Sequence, residues 1–189
     1  MPSELPRAGD VLRQKYSLEN VLGQGGMAVI FAAQHLHLRQ RVALKLLRSD
    51  TPREGTVIER FLREARAASR LQSPHVARVL DVDTLDDGTP FIVMEYLEGS
   101  DLLALLQRRT LAIDEAVRYV REACEGVAEA HALGIIHRDV KPANLFLARK
   151  PSGEPLVKVL DFGISKVLED TRITAEQLGM GSAEYMSPE

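Results

Sequence analysis

His137-Arg138-Asp139-Val140-Lys141-Pro142-Ala143-Asn144 packs an acid, cations and an amide into one short loop. The loop follows a helical stretch that closes at Gly134, where a C-cap glycine belongs. An Asp can accept or orient a hydroxyl proton. A Lys can stabilise charge on a transferring phosphoryl group, and an Asn offers a carbonyl oxygen to a hard cation. Taken by itself the segment is equally a solvated charged loop. What argues against that is its spacing to Asp161-Phe162-Gly163, which follows the apolar run Val157–Leu160 and offers a further carboxylate to a divalent cation.

Upstream, Lys45 sits inside the apolar run Val42-Ala43-Leu44-Lys45. Burying an ammonium is costly unless it is paired, although snorkelling to solvent is an alternative. Glu64 is out of place in the same way, on the apolar stripe Val57, Phe61, Glu64, Ala68, Leu71 of a helix predicted over residues 56–71. A Lys45–Glu64 pair resolves both anomalies. Further upstream lies Leu22-Gly23-Gln24-Gly25-Gly26-Met27-Ala28-Val29-Ile30. Its glycines let backbone N–H groups approach phosphates, but a plain hairpin turn reads as well. A dinucleotide-binding fingerprint needs a helix next. An alternating strand follows instead, which favours a glycine-rich β-hairpin flap.

The chain divides in character. Residues 16–47 read as strands, and strand-like runs at Val76–Val82 and Phe91–Tyr96 flank the turn Asp86-Asp87-Gly88. After Glu98-Gly99 the pattern is helical: Leu102, Leu105 and Leu106, then Ile113, Val117, Val120, Cys124, Val127 and His131. Short strands return at Asn144–Leu147 and Val157–Leu160 around a surface turn at 150–155. The expected class is α+β, with a leader at 1–9, a β-rich small lobe at 10–95, a hinge at 96–100 and a helix-rich large lobe at 101–189.

Composition excludes several alternatives. The 189 residues are 45% hydrophobic and 27% charged, with a net charge of −3, as in ordinary folded domains and unlike a basic nucleic-acid binder. Cys124 is the single cysteine, so no intrachain disulfide forms, and its helical spacing with Val120 and Val127 reads as a buried structural thiol. His35 and His37 have no grouped Asp, Cys or His partners, so a polar strand end is favoured over a metal site. No apolar run is long enough to span a bilayer, and the first residues lack a signal pattern, which reads as cytoplasmic, with an anchor beyond residue 189 left open.

In this order the motifs resemble the protein kinase family: glycine-rich loop, strand Lys, helix Glu, H-R-D-x-K-x-x-N, D-F-G, and Ser187-Pro188-Glu189 in the place of A-P-E. The resemblance runs from about residue 16 to the end. The wording of the glycine loop and of Gly181–Glu189 is similar to bacterial Hanks-type kinases in particular. A two-lobed kinase fold is implied, and with it an ATP- and Mg2+-dependent serine/threonine protein kinase.

Residue by residue, the resemblance implies that Leu22, Gly23, Gln24, Gly25 and Gly26 cover the nucleotide phosphates. Lys45 holds the α- and β-phosphates and pairs with Glu64. Ile30, Ala43 and Phe146 sandwich adenine. Met94 is the gatekeeper, and backbone groups of Glu95 and Leu97 meet the adenine edge. Asp139 is the base, Lys141 neutralises the transferring phosphoryl, and Asn144 and Asp161 hold Mg2+. Arg138 receives a phosphate on Thr174 or Thr171, placed by autophosphorylation in a kinase–kinase dimer. Lys141, at two residues past Asp139, points to Ser/Thr rather than Tyr substrates. The expected partners are ATP and protein substrates, with no nucleic acid.

Ala28 replaces the third glycine and Ser182 stands where Thr is usual. Family members continue through several helices beyond the position of Glu189, so the chain reads as a fragment or truncated product. The competing functional readings are an inactive truncated kinase or pseudokinase serving as a binding module, a dehydrogenase nucleotide domain, and a small-molecule phosphotransferase of related fold.

Overall fold

The computed structural model describes residues 5–48, 55–150, 152–162 and Tyr185; within the first helix the side chains of residues 56, 60 and 64 are outside the description. Two compact units emerge. One comprises residues 1–69 and 78–97, the other 70–77 and 98–189.

The first unit is built on an antiparallel sheet of order β1-β2-β3-β4-β6-β5. Its strands are β1 (Val11–Leu12), β2 (Tyr16–Gln24), β3 (Ala28–His35), β4 (Gln40–Leu47), β5 (Val79–Thr84) and β6 (Pro90–Glu95). Period-two alternation sends Leu18, Phe31, Ala33, Val42, Leu44, Leu46, Phe91 and Val93 into one apolar cluster. Helix α1 (Gly55–Ala68) buries Val57, Phe61, Ala65 and Ala68, spaced to form one stripe, and packs on β5 and β6. The glycine-rich segment is a β-hairpin: Gly23 pairs with Ile30, Gln24 with Val29, and Gly25 N–H donates to Ala28 O at 2.9 Å.

The second unit contains the sheet β7-β8-β9, made of β7 (Gly99–Asp101), β8 (Leu145–Arg149) and β9 (Pro155–Val159). With it go α2 (Leu102–Leu106), capped by the Asp101 carboxylate on Ala104 N–H, and the long helix α3 (Ile113–Ala132). The α3 helix ends at Gly134, φ 72°, with Ile135 N–H on Ala130 O and Gly134 N–H on His131 O. That pair of bonds is the Schellman pattern, and the positive φ is why glycine stands there.

Residues 70–77 belong with the second unit because their backbone is bound there on all sides. Val76 bridges Val159, Val159 N–H donates to His75 O, and Ala77 N–H donates to Val159 O. The Glu129 carboxylate accepts from both Gln72 N–H (2.8 Å) and Ser73 N–H (2.7 Å). The buried Lys158 ammonium donates to Val76 O.

One sequence expectation is corrected. Cys124 is exposed, not buried. With it lie Ile113, Val117 and Val120, at 84%, 62% and 57% exposure. The buried stripe of α3 is Tyr119, Ala123, Gly126 and Ala130 instead. At 3.6 residues per turn the two stripes are roughly 120° apart. Small residues line the covered stripe because the loop backbone comes close: a Cβ on Gly126 would lie 2.7 Å from His75 O.

Gly126→Ala therefore tests the packing. A better helix former gains at most about 1 kcal/mol, whereas overpacking costs about 1–3 kcal/mol. The carbonyl in the way cannot easily retreat, since it also accepts from Val159 N–H at 2.8 Å. Urea unfolding should show a lower midpoint for Gly126→Ala, and no change for Gly23→Ala, whose Cβ position is open. Equal midpoints for Gly126→Ala and wild type would contradict the packing described.

Candidate active site

In the first unit, sheet register gathers the expected nucleotide-facing side chains. Ile30 pairs with Lys45, Ala43 with Met94, and Lys45 with Ile92. Alternation then puts Ile30, Ala43, Lys45 and Met94 on one face, opposite the apolar cluster. Ala43 and Lys45 are buried, Ile30, Met94, Glu95 and Leu97 half-buried, and Leu22 exposed. The Glu64 side chain is outside the described residues, so its pairing with Lys45 remains a sequence expectation.

Gly23, Gly25 and Gly26 have no positive φ, and a Cβ would meet nothing within 4 Å at Gly23 and Gly26 and only Ala28 O at 3.7 Å at Gly25. The hairpin itself therefore does not demand glycine at these positions. What their absent side chains leave is open space beside backbone N–H groups, the form a phosphate-covering loop takes.

In the second unit the charged loop is tightly organised. Lys141 Nζ lies 2.8 Å from Asp139 Oδ2. Asn144 Nδ2 donates to the same oxygen at 2.9 Å and to Asp139 O at 2.7 Å. Pro142–Asn144 form a 3-10 turn, with Asn144 N–H on Lys141 O. Since the Asn144 amide nitrogen serves Asp139, its Oδ1 is the atom suited to a cation. An amide oxygen and the Asp161 carboxylate are hard donors of the kind Mg2+ takes. Among the described residues there is no cluster of three His, Cys, Asp or Glu that could hold a metal ion.

The structure also reveals a role for His137 that the sequence reading left unassigned. Its ring is 1% exposed. Nε2 lies 2.7 Å from Leu160 O, and Nδ1 accepts from Asp139 N–H at 3.2 Å. The ring packs against Phe162 in a tilted contact, centroids 4.8 Å apart and planes at 59°. Leu160 N–H returns a bond to Asn144 O at 2.9 Å. The Asp139 loop and the start of Asp161-Phe162-Gly163 are thus one unit. Arg138 and Asp161 both take left-handed backbone, φ 64° and 51°, an unusual and strained choice for such residues. A histidine among charged neighbours was the only sequence signal for this.

Phe146 lies half-buried on β8, opposite Lys158, and Arg138 is exposed. Gly163, Thr171, Thr174, Ser182 and Ser187–Glu189 lie outside the described residues. No helix among the described residues is long and apolar enough to cross a membrane.

A glycine-rich hairpin, a buried strand lysine and an Asp–Lys–Asn loop joined to the Asp161-Phe162 segment are the features of a protein kinase domain, and the protein kinase domain family matches residues 16–189. The chain belongs to that family. It is 40% identical over 186 residues to the serine/threonine-protein kinase pkn3 of Myxococcus xanthus, covering 96% of this chain and 34% of that protein. It is 38% identical over 184 residues to PknB of Mycolicibacterium smegmatis, covering 94% and 29%. Both relatives are thus about three times as long as the matched stretch. Among solved structures it resembles the Mycobacterium tuberculosis PknI kinase domain, with a TM-score of 0.70 at 30% identity over 85% of this chain and 62% of that one.

Burial holds the His137 imidazole below its ordinary pKa of 6.5, against the smaller opposing effects of Leu160 O, Asp161 and Asp139. The unfolded chain therefore takes up this proton first as pH falls. The contribution to stability is whole above 6.5 and declines as pH drops below it. A second ring proton would also break the Asp139 N–H bond to Nδ1. Urea midpoints measured from neutral pH down to mildly acidic pH should fall more steeply for wild type than for His137→Gln. Parallel curves would contradict the assignment of His137 as a buried neutral ring.

Proposed function

We propose that this chain carries the catalytic core of an ATP-dependent serine/threonine protein kinase. The observation that carries the reading is the Asp139 carboxylate, held at 2.8 Å by Lys141 and at 2.9 Å by Asn144 in a loop locked to the Asp161 segment. A carboxylate so held can orient a Ser or Thr hydroxyl and accept its proton as the oxygen attacks the γ-phosphorus. The bond to the β–γ bridging oxygen breaks and ADP leaves. Lys141, beside Asp139, neutralises charge on the phosphoryl oxygens in transit. Lys45 steadies the α- and β-phosphates with Glu64 behind it, and the glycine hairpin covers them. The family resemblance assigns Ile30, Ala43 and Phe146 to adenine, Met94 to the gatekeeper position, and the backbone of Glu95 and Leu97 to the adenine edge. Asn144 and Asp161 would hold Mg2+, which would supply charge neutralisation on the phosphates when bound.

Chemistry of this kind is positioning plus electrostatics, which is why its residues come pre-bonded to one another. Two features support Ser/Thr substrates: Lys141 at its spacing from Asp139, and relatives named as serine/threonine kinases. The exposed Arg138 is suited to receive a phosphate that a second copy of the kinase places on Thr174 or Thr171.

In the full-length protein, Lys45→Met, Asp139→Asn and Asp161→Ala should each lower phosphoryl transfer by at least about a hundredfold. Hydrolysed products should contain phosphoserine or phosphothreonine. Wild-type turnover in Asp139→Asn, or predominant phosphotyrosine, would contradict the proposal. Mass spectrometry should find Thr174 or Thr171 modified in active protein. Unmodified loops together with a fully active Thr174→Ala would remove the Arg138 role.

A further inference from the structure

The sheet face that carries Ile30, Ala43 and Lys45 continues, two residues before Ala43, to Arg41. The β4–β6 ladder ends with Val42 opposite Glu95, and the next step of that register sets Arg41 against Tyr96. The Arg41 guanidinium stacks over the Tyr96 ring, 3.9 Å from its centroid. Its Nε and Nη2 both donate to Glu19 Oε2, at 3.0 and 2.7 Å.

Glu19 reaches across an intervening strand to do this. Leu18 pairs with Ala33 and Asn20 with Ala32, so Glu19 is the extra residue of a β-bulge in β2. A bulge re-aims its side chain and breaks the ladder, and such a feature is kept where the re-aiming is used. From the other side, Glu95 N–H donates to Arg78 O at 3.0 Å and Arg78 N–H donates to the Glu95 carboxylate at 2.8 Å. Glu95 is thus bonded to Arg78 on one side, while Arg41 holds the Tyr96 ring on the other.

An exposed ion pair adds little to stability, and Arg41 and Glu19 are 41% and 33% exposed. Stability does not account for a bulge, a bidentate pair and a stacked ring converging on one tyrosine. Only arginine stacks by its plane while donating along its edge.

We propose that Arg41 is a positioning residue for adenine recognition: with Glu19 it clamps Tyr96 and so sets the backbone of Glu95 and Leu97 against the adenine edge. This rests on the reading that Glu95 and Leu97 meet adenine. The base, not the phosphates, is what the clamp serves.

In the full-length protein, Arg41→Ala should raise the KM for ATP by about three- to fivefold, the value of one cation–π contact, with kcat within about twofold. Glu19→Ala should match it, and the double variant should be no worse than either single one. Tyr96→Ala should behave as Arg41→Ala. Inhibition by inorganic tripolyphosphate, which lacks the base, should be unchanged in Arg41→Ala. Equal weakening of ATP and tripolyphosphate, or an unchanged KM in Arg41→Ala, overturns the proposal. Leu97→Pro, which deletes the N–H at the adenine edge, separates the two claims. If it weakens ATP binding while Arg41→Ala does not, the clamp is wrong and the adenine reading stands. If Leu97→Pro binds ATP as wild type does, the adenine reading itself fails.

Discussion

The backbone N–H and C=O of Leu160 are both bonded to the loop that bears Asp139. Its carbonyl meets His137 Nε2 at 2.7 Å, and its N–H meets Asn144 O at 2.9 Å. Everything chemical in the second unit depends on that join. It carries Asp161 to the Asp139 loop and buries His137 against Phe162. The same packing holds Arg138 and Asp161 in left-handed backbone, which costs on the order of 1–3 kcal/mol per residue and persists only where surroundings over-determine it. Rigidity of this kind suits a reaction in which the protein positions groups and stabilises charge.

The first unit solves a different problem by sheet register. A twisted antiparallel sheet has two faces, and period-two alternation assigns one to the apolar cluster and the other to Ile30, Ala43, Lys45 and Met94. A one-residue slip would exchange them. The β2 bulges at Glu19 and Leu22 alter pairing within the strand that leads to the glycine hairpin. Residues 70–77 depart from this unit because their backbone groups are satisfied by β9 and by the Glu129 carboxylate of α3.

Much of this was legible in the sequence because the chemistry is written in short, ordered motifs. Strands at 16–47, the glycine hairpin, the Gly134 cap and the Asp139–Asn144 loop all lie where spacing and residue type put them. The α3 helix was legible but its covered side was not. Apolar periodicity pointed to Ile113, Val117, Val120 and Cys124, whereas the covered stripe is chosen by close backbone approach at Gly126, a long-range fact. The roles of His137 and Arg41 escaped for the same reason. Their partners, Leu160 O and the Tyr96 ring, are 23 and 55 positions away in the chain, and no local pattern announces them.

The central claim is Mg2+-dependent binding of an adenine nucleotide. The most direct measurement is calorimetric titration of the full-length protein with a non-hydrolysable ATP analogue, with Mg2+ and with EDTA, in wild type and in Asp161→Ala. The account predicts saturable binding that weakens in EDTA, and an Asp161→Ala protein that has lost the difference between the two conditions. Absence of binding in wild type, or an affinity indifferent to Mg2+, would contradict it.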